Sequence, residues 1–156
     1  MLFQLPLFIS SNERPKELIN VIRRVVGESE TKVTHLDCAD YAVGEACVER
    51  KKCGNFVSSM VKEKGEKKEL WDQLDRCTKA YQHPYLFLEG NLSSTNDPSS
   101  CYADGRYRQV GYLAVQAAIC KVQDMGVTVV WTGDYNETAI MLKWIHSKYG
   151  GGHLES

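Results

Sequence analysis

The chain has 156 residues, 43% of them hydrophobic and 25% charged, which suits one domain with a substantial buried core. Its formal net charge of −1 excludes a uniformly basic nucleic-acid binder. No apolar run approaches the ~20 residues needed to span a bilayer, so no membrane partner is expected.

In chain order, Leu5–Ile9 reads as a buried strand and "SSNERP" as the polar turn after it. Pro15 followed by Leu18, Val21, Ile22 and Val25 predicts an amphipathic helix ending at Gly27. Thr31–Leu36 is a second strand. Tyr41–Val43 and Ala46–Lys51 form a hairpin around Gly44-Glu45. Asn55–Val61 predicts a short helix, "EKGEKKE" an exposed link, and Leu70, Leu74 and Cys77 a further helix closed by His83-Pro84.

"YLFLEG" is a short apolar run bounded by Pro and Gly, hence a buried strand. "NLSSTNDPSSCYADG" is polar and turn-rich and reads as a mobile or functional loop. Tyr107–Asp124 predicts a long helix with Val110, Leu113, Ala114, Ala117 and Ala118 on one face. "VTVVW" is another buried strand, and Asn136–Tyr149 a final helix carrying Ile140, Trp144 and Ile145. Helices alternating with apolar strands, plus one hairpin, predict an α/β fold whose central mixed sheet is flanked by helices. No repeat or internal domain boundary interrupts residues 1–150, and 151–156 read as a flexible tail.

Six cysteines, at 38, 47, 53, 77, 101 and 120, contain no Cys-x-x-Cys pair, and no secretory signal is recognisable before them. Reduced, mostly buried thiols are expected, with an intracellular location: nuclear in a eukaryote, cytoplasmic in an archaeon, bacterium or virus. The sequons at Asn91 and Asn136 are discounted on the same ground. Residues 50–68 concentrate seven cations, Arg50, Lys51, Lys52, Lys62, Lys64, Lys67 and Lys68, against Glu63 and Glu66. Such a patch suits phosphates, and equally a solvated face.

The chemistry concentrates in "DCADYAVGEACVERKK". Strand alternation puts Ala46, Val48 and Arg50 on one face and Cys47, Glu49 and Lys51 on the other. The preceding arm can bring Asp40 close to Glu49 and Lys51. Two carboxylates offer hard oxygen ligands to Mg²⁺ or Mn²⁺, and a lysine can orient water or stabilise charge on phosphorus. That Asp…Glu-x-Lys arrangement marks restriction-endonuclease-like nucleases, although Glu-x-Lys alone commonly decorates a solvated strand. Asp37 reads as a solvated strand-end acid, His35 as a packed or surface histidine, and Asp104 as a helix cap. Trp131 and Trp144 read as core or dimer contacts.

The stretch "LDCADYAVGEACVERKKCGNFVSSM" resembles the nuclease domain of the XPF/Hef family of structure-specific DNA endonucleases. Their pattern runs Gly-Asp-Tyr, a short hairpin, Val-Glu-Arg-Lys, three residues, then Asp and Phe. Asp40 and Tyr41, then Val48, Glu49, Arg50 and Lys51, then Phe56, Ser58 and Ser59 match it. "LWDQLDRCTKAYQHPYLFLEGN" and "GVTVVWTGDYNETAIMLKWI" are similar to later segments of the family, so the likeness spans nearly the whole chain. Three positions depart: Ser10 and Asn12 stand where Asp and Arg are expected, with Glu13 kept, and Asn55 stands for the Asp after Glu-Arg-Lys.

The resemblance implies a restriction-endonuclease-like three-layer fold and metal-dependent hydrolysis of branched DNA such as flaps and forks. It implies Mg²⁺ or Mn²⁺ held by Asp40, Glu49 and the backbone carbonyl of Arg50. The expected catalytic set is Asp40, Glu49, Lys51, Arg50 and Glu13. Expected DNA contacts are Arg14, Arg50, Lys52, Lys62, Lys64, Lys67, Lys68, Arg106 and Arg108. It also implies pairing through the last helices with a second copy or a paralogous nuclease subunit. The alternative is a catalytically silent nuclease-like subunit that serves as a dimerisation or DNA-binding partner.

Overall fold

A computed structural model describes residues 4–13, 15–61 and 64–151, with the side chains of 61 and 64–68 excluded. The strands are β1 (Leu7–Ser10), β2 (Thr31–Thr34), β3 (Tyr41–Val43), β4 (Ala46–Lys52), β5 (His83–Glu89), β6 (Leu92–Ser94), β7 (Cys101–Ala103), β8 (Arg106–Arg108) and β9 (Thr128–Thr132). The helices are α1 (Lys16–Val26), α2 (Cys53–Val61), α3 (Lys64–Ala80), α4 (Tyr112–Asp124) and α5 (Tyr135–Gly150).

Six strands form one sheet in the order β2-β1-β3-β4-β5-β9. The β1/β2, β4/β5 and β5/β9 pairs are parallel, whereas β3 runs antiparallel to both β1 and β4, so the sheet is mixed as expected. Alternation along the strands divides the apolar side chains between two cores. On one face Ile9, Tyr41, Val48, Tyr85 and Phe87 pack with Leu18 and Ile22 of α1 and Leu142 and Ile145 of α5. On the other, Leu86 and Leu88 pack with Phe56 and Val57 of α2, Leu70 and Leu74 of α3, and Val115, Ile119 and Val122 of α4. Both faces are covered, which gives three layers. β5 lies in the middle and is buried on both sides from Pro84 to Glu89, the pattern of an interior parallel strand.

Local sequence accounts for the boundaries that matter to the site. Pro15 in extended backbone precedes α1, and Gly27 at φ 116° ends it, its N–H returning to the Arg23 carbonyl. Gly44, at φ 56°, supplies the left-handed residue that the tight β3–β4 turn requires. β1, β4, β5 and β9 run in the same direction, so Ser10, Lys51, Glu89 and Thr132 all arrive at one edge of the sheet.

Four sequence readings are corrected. The described part of "EKGEKKE", from Lys64 onward, is the start of α3: its charged residues are good helix formers, and Leu70 and Leu74 anchor the segment behind them. His83-Pro84 opens β5 rather than closing a helix. The polar segment after β5 is not one loop but holds a three-stranded antiparallel meander, β6-β7-β8, that includes Arg106–Arg108 and keeps residues 95–100 as a turn-rich connection. It absorbs Tyr107, so the next helix begins at Tyr112. That helix is also turned from the expected face, for Leu113 is 79% exposed and Val115, Ile119 and Val122 fill the core. The alanines made both faces look apolar, and the larger branched side chains decide which one packs.

No disulfide forms among the described residues, and Cys47, Cys53, Cys77 and Cys101 are buried. Burial pushes the Cys38 thiol up to about 11 and the Cys53 thiol to about 12, so both stay protonated at neutral pH. Gly151 is the last described residue, and the rest of the expected tail lies outside the described range.

Candidate nuclease active site

The β3–β4 ladder runs from Val43↔Ala46 to Tyr41↔Val48 and stops there. Ala39, at φ 73°, turns the chain away, a left-handed conformation that costs a non-glycine residue about 1 kcal/mol. The Asp40 side chain then takes over from the ladder: its Oδ2 accepts a 2.8 Å hydrogen bond from the Arg50 backbone N–H. The Asp40 carbonyl accepts from the Ser10 N–H at 2.8 Å, which ties the end of β1 to the same point. Alternation puts Ser10, Asp40, Glu49 and Lys51 on one face of the sheet.

The Asp40 and Glu49 carboxyls are close neighbours that perturb each other's charge, and both are largely shielded from water. Burial raises the Glu49 carboxyl to about 8, with the neighbouring Asp40 charge pushing the same way and Lys51 opposing. Burial raises Asp40 too, against the hydrogen bond from the Arg50 backbone. The pair therefore shares a proton at neutral pH, as two like charges in a low-dielectric site must. Lys51 extends from the same face into a polar cavity of about 250 Å³ lined by Asn55, Ser58, Ser59, Glu69, Leu70 and Gln73.

Arg50 and Glu13 lie on the opposite face, away from this pair. The Arg50 guanidinium donates to Glu89 Oε1 at 2.8 Å and Oε2 at 3.1 Å, and to Glu13 Oε1 at 3.4 Å. Its side chain is only 7% exposed, and those of Glu13 and Glu89 are 7% and 4% exposed. Burial opposes the charge on Arg50, but the Glu89 hydrogen bonds and the Glu13 field outweigh it. The Tyr41 hydroxyl donates to Glu13, Thr138 Oγ1 donates to Glu89 at 2.5 Å, and the Tyr135 ring lies 5.5 Å from the guanidinium carbon.

This placement corrects the expected role of Arg50 as a DNA contact. Its guanidinium is buried among carboxylates, which leaves the backbone as its route to the site. Glu13 is likewise a buried partner of Arg50 and Tyr41. The decisive partner, Glu89, ends an apolar strand, and nothing local marks it as a glutamate that pairs with an arginine 39 positions earlier.

The remaining sequence candidates divide. Lys52 and Arg106 are exposed. Arg108 Nη1 donates to Ser58 Oγ at 2.8 Å, behind the Lys51 cavity. Arg14 and Lys62 lie outside the described residues; Lys64, Lys67 and Lys68 lie on the first turns of α3, their side chains undescribed. Asp104 does cap a helix, but α2 rather than a following one: its Oδ2 accepts from the Gly54 N–H at 2.8 Å while Oδ1 accepts from Asn91 N–H at 3.0 Å. His35 and Asp37 pair with each other at the surface.

The sequence pattern of the ERCC4 domain matches residues 11–145. The chain belongs to the ERCC4 domain family. Over 124 residues it is 27% identical to the 3'-flap repair endonuclease Xpf of Saccharolobus solfataricus, a match covering 79% of this chain and 47% of that protein. Its fold superposes on XPF from Aeropyrum pernix with a TM-score of 0.68 at 21% identity, over 92% of this chain and 64% of the other. A complex of the same Aeropyrum pernix protein with DNA gives a TM-score of 0.66 at 19% identity, over 93% and 64%. The likeness to XPF-type nuclease domains read from "DYAVGEACVERK" is thereby shown, as is the α/β fold. The ERCC4 domain chain spans about half the length of the Saccharolobus endonuclease and under two thirds of the solved chains.

Among the described residues no three His, Cys, Asp or Glu side chains converge as a metal cage. Two buried carboxylates that compete for one proton still fit a hard divalent cation, since Mg²⁺ is commonly held by one or two carboxylates with water and substrate phosphate completing its shell. The shared proton also makes stability depend on pH. Glu49 takes up its proton near 4.5 when exposed and near 8 when folded, so the folded state holds the extra proton between those values. Metal-free protein is therefore expected to lose stability as pH rises from about 5 to about 8, lowering Tm by roughly 10 °C. Glu49→Gln is expected to flatten that dependence; thermal unfolding of both chains across this range checks it.

Proposed function

We propose that this ERCC4 domain is a divalent-metal-dependent endonuclease that hydrolyses phosphodiester bonds in branched DNA, such as flaps or forks, during repair or recombination. The observation that carries this reading is the buried Asp40–Glu49 pair with Lys51 on the same strand face. The Saccharolobus relative, whose name states flap repair, supports the substrate class.

Asp40 and Glu49 would hold Mg²⁺ or Mn²⁺, with the Arg50 carbonyl as a further ligand. A bound ion would polarise a phosphoryl oxygen and lower the pKa of its water. The residues themselves do the rest. Asp40 is fixed by the Arg50 N–H, so its second oxygen has a set direction. Glu49, raised to about 8, would have to give up its proton for a cation to bind, so loading would become more favourable with rising pH. Lys51 donates hydrogen bonds to the attacked phosphate and offsets negative charge that grows there. Exposed Lys52 and Arg106, with the α3 lysines, would engage backbone phosphates in a salt-dependent, sequence-tolerant way.

The silent-subunit reading has its own observation: Ser10 is buried beside Asp40 and brings no third carboxylate, and Asn55 replaces another acid. The two readings separate on a metal titration paired with cleavage of flaps and forks. Asp40→Asn and Glu49→Gln are expected to abolish both Mn²⁺ binding and cutting. Lys51→Ala is expected to keep Mn²⁺ binding and lose ~10²–10³-fold in rate. If the parent chain neither binds Mn²⁺ nor cuts, while Ser10→Asp with Asn12→Arg does, the silent-subunit reading holds.

We also propose pairing with a second copy or a paralogous subunit through α5 and β9. Leu142 and Ile145 face the core, but Ile140 and Trp144, one helical turn apart, stay 54% and 45% exposed, and Trp131 on the sheet edge stays 46% exposed. An apolar face beside an open strand edge invites a partner. Light scattering is expected to show a dimer at tens of micromolar, converted to monomer by Trp144→Glu; a monomeric parent chain contradicts the proposal.

A further inference from the structure

The cavity beside Lys51 has a wall unlike that of a metal site. Asn55 and Ser58 reach it from α2, and Gln73 from α3. The Ser58 oxygen already accepts from Arg108, so its own O–H is left to donate, and a guanidinium charge stands directly behind it. Ser59 is committed differently, donating to the Phe56 carbonyl at 2.7 Å. Among the described residues, with the Lys51 ammonium and the Asn55 and Gln73 amides, the wall presents four side-chain donors against one carboxylate, Glu69, which is exposed. At about 250 Å³ the space falls short of the roughly 300–1,000 Å³ typical of pockets for drug-sized ligands. It suits a small anion better than a base.

We infer that this cavity binds the phosphate group of the nucleotide adjoining the one that is cut, with Asn55 and Ser58 as its donors and Lys51 shared between the two phosphates. Asn55 stands where the XPF/Hef pattern carries Asp. An acid there would set a second negative charge against the anion, whereas the amide donates to it through N–H. The exchange of Asp for Asn thus changes what the wall accepts: it disfavours a cation and favours a phosphate oxygen. Arg108 acts through Ser58 and is a positioning residue. The inference rests on the endonuclease reading for its substrate, but the pocket is testable without any cleavage.

The probe is inorganic phosphate, titrated into the metal-free chain and followed by amide shifts in NMR spectra. Shifts are expected to centre on Asn55, Ser58 and Gln73. Asn55→Asp is expected to weaken phosphate at least about tenfold and Asn55→Ala about threefold, while Glu69→Gln tightens it. On branched DNA, Asn55→Asp is expected to raise KM about tenfold with kcat little changed. Shifts that centre elsewhere, or equal phosphate affinity in Asn55→Asp, overturn the inference. So does an Asn55→Asp chain with higher kcat and unchanged KM, which would mark position 55 as a lost catalytic acid. Phosphate binding in the pocket without DNA cleavage leaves the pocket standing and removes the endonuclease reading; cleavage without phosphate binding does the reverse.

Discussion

Asp40 and Glu49 are held as close neighbours where little water reaches either, and two negative charges cannot both persist there unaided. Everything around them serves to keep them in that position. The Arg50 backbone N–H fixes Asp40 from one face of the sheet. On the other face the Arg50 guanidinium bonds Glu13 and Glu89, which ties the strand that carries Glu49 and Lys51 to its neighbours. A buried ion pair adds little net stability, because desolvation consumes most of its Coulombic gain. Its value here is geometric. One residue reads as a hinge pin between a structural ion cluster and a reactive carboxylate pair.

The same layout explains why the polar groups gather at one edge. β1, β4, β5 and β9 point the same way, and toward their ends apolar alternation gives way to Ser10, Lys51, Glu89 and Thr132. The meander then closes over that edge: Asp104 ties it to the first turn of α2, and Arg108 ties it to Ser58. Binding groups on different elements are thus fixed by hydrogen bonds to backbone and side chains of the sheet's rim, a rigid support for chemistry that depends on sub-ångström placement.

Much of this was legible in the sequence because it follows from local rules. The hairpin at Gly44, the separation of Glu49 and Lys51 from Arg50 by strand alternation, and the helical runs at Leu18–Val25 and Leu70–Cys77 need only period and turn chemistry. What failed needed distant partners. The face of Arg50 was readable, but that Glu13 and Glu89 would meet it there depends on β1 and β5 flanking the hairpin. The strands of the meander are three residues each, too short for alternation to emerge from "NLSSTNDPSSCYADGRYR". The first turns of α3 look like a solvated link because their pattern is all charge. Alanine-rich α4 hid its buried face, since alanine marks neither side strongly.

On the proposed function, the Asp40–Glu49 pair would exchange a proton for a divalent cation. Calorimetric titration of Mn²⁺ in buffers of different ionisation enthalpy counts the protons released on binding. Near pH 7 about one proton should leave per bound ion, falling toward zero above about pH 9, and Glu49→Gln should give no binding heat at all. Mn²⁺ binding without proton release near pH 7, or no binding at any pH, would contradict it.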